Sequence, residues 1–91
     1  MAIRVNIPSP LRPLTGGAAD VEVEAADVAS LITALEARHH GLAERLLGAD
    51  GQLRSYVRIF VNDEDVRFLD GTGTALRQGD VVAIVPAVAG G

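Results

Sequence analysis

Val81-Val82-Ala83-Ile84-Val85-Pro86-Ala87-Val88-Ala89-Gly90-Gly91 ends the sequence, and its reading decides the fold. Val81 to Val85 make a strand with no polar side. Such a strand belongs in the middle of a sheet, or lies under a helix on one face and a partner on the other. Proline has no N–H for a sheet ladder, so regular pairing is expected to stop at or just after Pro86. Residues 87–91 then read as a flexible C-terminal tail on a domain of residues 1–86. Fully extended, Ala87 to Gly91 reach roughly 17 Å, at about 3.3–3.6 Å per residue, and the leading group is a backbone carboxylate. Gly90 and Gly91 carry no Cβ, so this end fits a channel too narrow for any side chain. Frayed ends are also rich in small residues, so the glycines alone leave that bland reading open.

Working back from the last strand, Gln78-Gly79-Asp80 has turn composition, and Gly71 to Gly79 is a polar, glycine-punctuated connection. Tyr56-Val57-Arg58-Ile59-Phe60-Val61 is β-branched and aromatic, a strand with Val57, Ile59 and Val61 on one face. Asn62-Asp63-Glu64-Asp65 then turns the chain, and Val66-Arg67-Phe68 is expected as a short return strand. At the other end, Ile3, Val5 and Ile7 alternate with polar residues as a half-buried strand that Pro8 and Pro10 stop. Residues 8–19 hold prolines and Gly16-Gly17 and read as a returning loop. Val21 and Val23 alternate with Glu22 and Glu24 as a second strand, antiparallel to the first. Asp27 is a good N-cap for a helix whose apolar stripe is Val28, Leu31, Ile32 and Leu35, with Gly41 expected at its C′ position. Leu42, Leu46 and Leu47 suggest a short second helix, and Gly48 to Gly51 is turn material. The order predicts an α+β roll of the β-grasp, ubiquitin-like kind: a mixed sheet of four to five strands with one main helix.

Composition narrows the function. The 91 residues allow one small domain, 48% hydrophobic, burying somewhat more than about 60% of its unfolded surface. Aromatics are confined to Tyr56, Phe60 and Phe68, so Val, Ile, Leu and Ala build the core. There is no cysteine, hence no disulfide, thiolate metal site or cysteine nucleophile. The net charge is −4 and the basic residues are scattered, which argues against nucleic acid or an anionic membrane as partner. All 8 basic residues are arginine, so the chain cannot carry isopeptide branches on its own side chains. Residues 1–8 lack a continuous apolar core for a signal peptide, and no run is long enough to span a membrane. A cytoplasmic protein is expected.

Candidate chemistry among the side chains is sparse. His39 and His40 are adjacent at a helix end and point different ways, a poor metal pair. Asp63-Glu64-Asp65 lacks the alternating ligand spacing of a calcium loop and reads as a solvated turn. Ser9, Ser30 and Ser55 have no nucleophile-elbow context, and the glycines match no phosphate loop. No catalytic constellation, metal site or bound cofactor is expected, and the chain reads as something other than an enzyme.

Phe60-Val61-Asn62-Asp63-Glu64-Asp65-Val66-Arg67-Phe68, with Gly79-Asp80-Val81 and the Pro86-to-Gly91 tail, resembles the ThiS/MoaD family of ubiquitin-like sulfur carriers. The resemblance covers nearly the whole chain. Ile7-Pro8-Ser9-Pro10-Leu11-Arg12 and Thr15-Gly16-Gly17 are most similar to the family's cysteine-biosynthesis branch. The resemblance implies that an ATP-dependent, E1-like adenylating enzyme activates the Gly91 carboxylate and that a sulfur donor displaces AMP, leaving a thiocarboxylate. It implies further partners: a pyridoxal-phosphate-dependent cysteine synthase that accepts the sulfur, and a metallopeptidase that releases cysteine. ATP and pyridoxal phosphate then belong to the partners. Gly90, Ala89, Val88 and Ala87 carry the terminus, and Phe60, Ile84 and Pro86 are candidates for partner contact by their position beside it. The small subunit of molybdopterin synthase and a ubiquitin-like modifier joined to lysines of other proteins would use the same tail, and both stay open, as does a passive binding module. Thiamine carriers are associated with shorter chains lacking the 41–55 insertion.

Overall fold

The computed structural model describes residues 2–86; the 87–91 tail lies outside the described residues. Five strands form one mixed sheet: β1 (Ala2–Asn6), β2 (Asp20–Glu24), β3 (Val57–Val61), β4 (Glu64–Asp65) and β5 (Val81–Pro86), in the order β2-β1-β5-β3-β4. β5 is central, parallel to β1 and antiparallel to β3. This is the β-grasp roll that the run of elements predicts. Helix α1 (Val28–Arg38) packs on one face, and the short α2 (Leu42–Leu46) extends the cover.

The core follows from period 2 in the strands meeting period 3.6 in the helix. Ile3, Val5, Ile59, Val82 and Ile84 point inward from the sheet, against Val28, Leu31, Ile32 and Leu35 of α1. Asp27 caps α1 as its position suggests. Its carboxylate accepts the Ser30 N–H at 2.8 Å while the Asp27 N–H donates back to Ser30 Oγ at 3.2 Å, a reciprocal capping box.

Four local readings are corrected. The return strand is Glu64–Asp65, and Val66–Phe68 is a 3-10 turn. Asn62 and Asp63 both take positive φ, 49° and 74°, closing a two-residue hairpin turn where the composition suggested a four-residue one. The Asp65 carboxylate then accepts the Arg67 N–H at 2.9 Å and lifts the chain out of the sheet. Gly41 does not sit at the C′ of α1; His39 is that helix's C-cap, and Gly41, at φ 102°, is the N-cap of α2. Residues 8–19 do return the chain, but Ser9–Thr15 coil into a 3-10 helix that buries Leu11, because the fixed φ of proline suits such a turn.

Glu36 joins the two helices. Its Oε1 accepts N–H donors from Gly41 at 3.1 Å and Ala43 at 2.9 Å, and His40 Nδ1 lies 3.4 Å from Oε2. These bonds, Ala43 first and Gly41 next, hold its carboxyl below the ordinary glutamate range, and Ser30 does the same for Asp27. Because both folded-state values are depressed, this stabilisation is complete above the unfolded-state carboxylate range and is lost as pH falls through the folded values. Urea melts taken from neutral pH downward should show stability falling in that acid window, with Glu36→Gln flattening the fall; an unchanged acid slope would refute the role given to Glu36.

Candidate functional site

The site is the end of the sheet from which β5 leaves, together with the open face beside it. Pro86 stands opposite Val57, the first residue of β3, so the ladder of the described residues reaches the proline. The start of β5 is held equally firmly. Asn62 Nδ2 donates to Asp80 Oδ1 at 2.8 Å, and the Val81 N–H donates to Asn62 Oδ1 at 3.0 Å. Both ends of the strand are thereby set relative to β3.

The start of β3 is itself pinned by a side chain distant in sequence. Arg67 Nη2 lies within hydrogen-bond distance of three carbonyl oxygens, those of Arg54 (3.0 Å), Ser55 (3.2 Å) and Val57 (2.8 Å). Asp65, on β4, accepts from the Arg67 backbone and pairs with Arg58 Nη1 at 3.4 Å. The order of support is Asp65 to Arg67, Arg67 to the start of β3, and Val57 to Pro86.

Among the described residues nothing covers the face away from α1. Alternation on β5 sends Val81 (38% exposed), Ala83 and Val85 (44%) outward and sends Val82 and Ile84 into the core. Cross-strand register sets Phe60 beside Ala83 and Arg58 beside Val85 on this face, and Arg4 beside Val81. The result is an apolar strip leading toward Pro86, flanked by two arginines. Beyond Arg4 stands Glu22 of β2, its neighbour across the ladder.

Of the sequence candidates for partner contact, Phe60 and Pro86 are half-buried and lie on the sheet end or its open face. Ile84 is corrected. At 3% exposure it packs in the core opposite Ile59 and has no surface to offer. The outward residues that the sequence reading passed over are Val81 and Val85; counting alternate positions back from Phe60 through the β3–β5 register is the signal that finds them. Gly91, Gly90, Ala89, Val88 and Ala87 lie outside the described residues. His40 pairs only with Glu36 among the contacts above, and among the described residues no cluster of three His, Cys, Asp or Glu could hold a metal. No described helix is long and apolar enough to cross a membrane.

Removing the Arg67 guanidinium leaves three carbonyl oxygens without that donor, so Arg67→Ala should cost about 1–2 kcal/mol in chemical denaturation. Arg67→Lys should recover only part of it, since the shorter lysine side chain holds its one nitrogen short of the Nη2 position that the three carbonyls surround. Full stability in Arg67→Ala would show that the start of β3 is held by other contacts.

Comparison with known proteins gives a consistent answer. The ThiS family model matches residues 5–91. The chain is 47% identical over 93 aligned positions to the sulfur carrier protein CysO of Mycobacterium tuberculosis, covering all of both chains. It superposes with a TM-score of 0.92 and 43% identity on a chain of the Amycolatopsis orientalis BexX/CysO complex, covering 98% of this chain and 99% of that one. It is also 44% identical over 66 residues, 72% of this chain and 71% of the relative, to small archaeal modifier protein 3 of Haloferax volcanii.

Proposed function

The chain belongs to the ThiS family, and from that premise we propose that it is a sulfur carrier protein for cysteine biosynthesis, a protein substrate and not itself an enzyme. The observation that carries the reading is full-length similarity to CysO, coupled to a central strand that reaches Pro86, with three residues between it and the diglycine Gly90-Gly91. A free carboxylate is a poor electrophile. We assign the activation step to Gly91: its carboxylate attacks the α-phosphate of ATP on an E1-like partner, pyrophosphate leaves, a sulfide-level sulfur donor then attacks the acyl carbon of the adenylate, AMP leaves, and a thiocarboxylate remains. The gain is the general one of covalent catalysis, a difficult substitution split into two easier ones, with the protein as a group carrier.

The recipient in this reading is a cysteine synthase that holds pyridoxal phosphate, followed by a metallopeptidase that frees the amino acid. ATP and pyridoxal phosphate are assigned to those partners, and the setting to the cytoplasm. Partner recognition is assigned to the open face: Val85, Val81 and Phe60 supply an apolar strip, and Arg58 and Arg4 at its margins set orientation. Apolar centres with charged rims are the usual anatomy of a protein interface. Gly90 and Gly91 give the narrow end that an active-site channel requires, and Ala87, Val88 and Ala89 supply its length.

Similarity to an archaeal modifier protein supports a second reading, in which the same activated carboxylate is joined to amines of other proteins. Intact mass after incubation with ATP, a sulfide source and the adenylating enzyme from the same genome separates the two. A gain equal to replacing one oxygen by sulfur, localised to Gly91, supports the carrier. A protein-sized adduct supports the modifier, and no change with any candidate adenylating enzyme rejects both.

Two substitutions test the parts separately. Gly91→Ala should impair activation while leaving the melting temperature nearly unchanged; a large drop in Tm would show a terminus that is part of the folded core. Val85→Asp should raise the KM of the activating enzyme at least about tenfold, equivalent to roughly 1.4 kcal/mol, without unfolding the domain, because Val85 is already half in solvent. An unchanged KM would move the docking surface elsewhere.

A further inference from the structure

We propose that this chain is an acyl donor closed to acylation by its own activated terminus, an inference that rests on the carrier reading above. An activated acyl carbon reacts with whichever strong nucleophile reaches it first. In proteins these are chiefly the lysine amine and the cysteine thiolate. The sequence contains neither. Every one of its 8 basic residues is arginine, and the cysteine count is zero. A guanidinium stays protonated at any working pH and offers no lone pair, so arginine keeps the positive charge that the fold uses while remaining inert toward the acyl group.

The places where a lysine would do harm are occupied by arginine. Arg58 is half exposed and stands opposite Val85, one residue before Pro86. Arg54 lies three positions before Val57, the residue that pairs with Pro86. Both lie within the roughly 17 Å that residues 87–91 can span when extended. A tethered amine at such a distance has an effective concentration in the mM range. Attack would form a C–N bond and break the bond from the acyl carbon to its leaving group. AMP or thiol would depart with the electron pair, the amine proton would go to solvent, and the carrier would be lost as a ring.

The topology keeps the start of β1 away as well. Gly79 N–H donates to the Ala2 carbonyl at 3.2 Å, so β1 begins beside the turn that precedes β5. Arg4 stands opposite Val81, and Ala2 lies two strand residues before it, so Ala2 and Pro86 are about 23 Å apart along the sheet at 3.3 Å per strand residue, longer than the reach of residues 87–91. Parallel pairing of β1 with β5 therefore sets the start of β1 and the departure of the acyl terminus at opposite ends of the sheet. The nucleophile that accepts the acyl group must come from a partner.

The test uses the full chain as a C-terminal thioester, made by intein cleavage with a small thiol, so that it needs no activating enzyme and is readable even if enzymatic sulfuration fails. At mildly alkaline pH the wild-type thioester should only hydrolyse, giving the free acid by intact mass. Arg58→Lys, and separately Ser55→Cys in the loop beside Val57, should give a ring-closed species one water lighter than the acid, mapped to the new side chain by proteolysis. A ring-closed or self-linked wild-type product would overturn the proposal. So would both variants hydrolysing as cleanly as wild type, because the missing amines and thiols would then protect nothing.

Discussion

The structure depends on β5 being hydrogen-bonded along both edges. Val81 to Pro86 pairs with β1 on one side and β3 on the other, so the last described strand is also the seam joining the two hairpins. Without it, β1–β2 and β3–β4 share no ladder. The apolar character of both of its faces follows from this. Val82 and Ile84 fill the core under α1, and Val81 and Val85 form the open strip. Asn62 and Arg67 then act as fasteners, the first at the start of β5 and the second at the start of β3 across from its end.

Much of this was legible in the residues. Period-2 runs marked β1, β2 and β3, and the Asp27 cap with its 28-31-32-35 stripe marked α1, because each is a local pattern with a local cause. A strand apolar throughout announced a central position. That same uniformity hid which of its residues face outward, so Ile84 was a natural but mistaken candidate for partner contact. Alternation is informative only when one face is polar. The register with β3 resolves it, and register is a tertiary fact. Arg67 reaching back to residues 54–57 is likewise invisible to spacing, as is Asp65 ending β4 after two residues by capping the turn that follows. The terminal glycines were legible as a motif, through resemblance, and not as geometry.

The electrostatic layout of the open face also has a simple origin. β2 is an edge strand whose outward residues, Asp20, Glu22 and Glu24, are all acidic and exposed. Charges on an edge discourage pairing with a second sheet. The apolar strip sits on the central strands, away from that edge, and Arg4 lies between the two beside Glu22. The face thus carries a sticky centre without inviting the strand addition that an apolar edge would permit.

The position of β5 in the middle of the sheet, although it is the last of the described strands, has a consequence for the integrity of the surface it carries. A chain broken anywhere before Val81 has no ladder to join its two hairpins. The Val81–Val85 strip exists only when β1 and β3 already flank it, so any molecule that grips the strip would in effect read the assembled sheet and pass over copies whose hairpins have come apart.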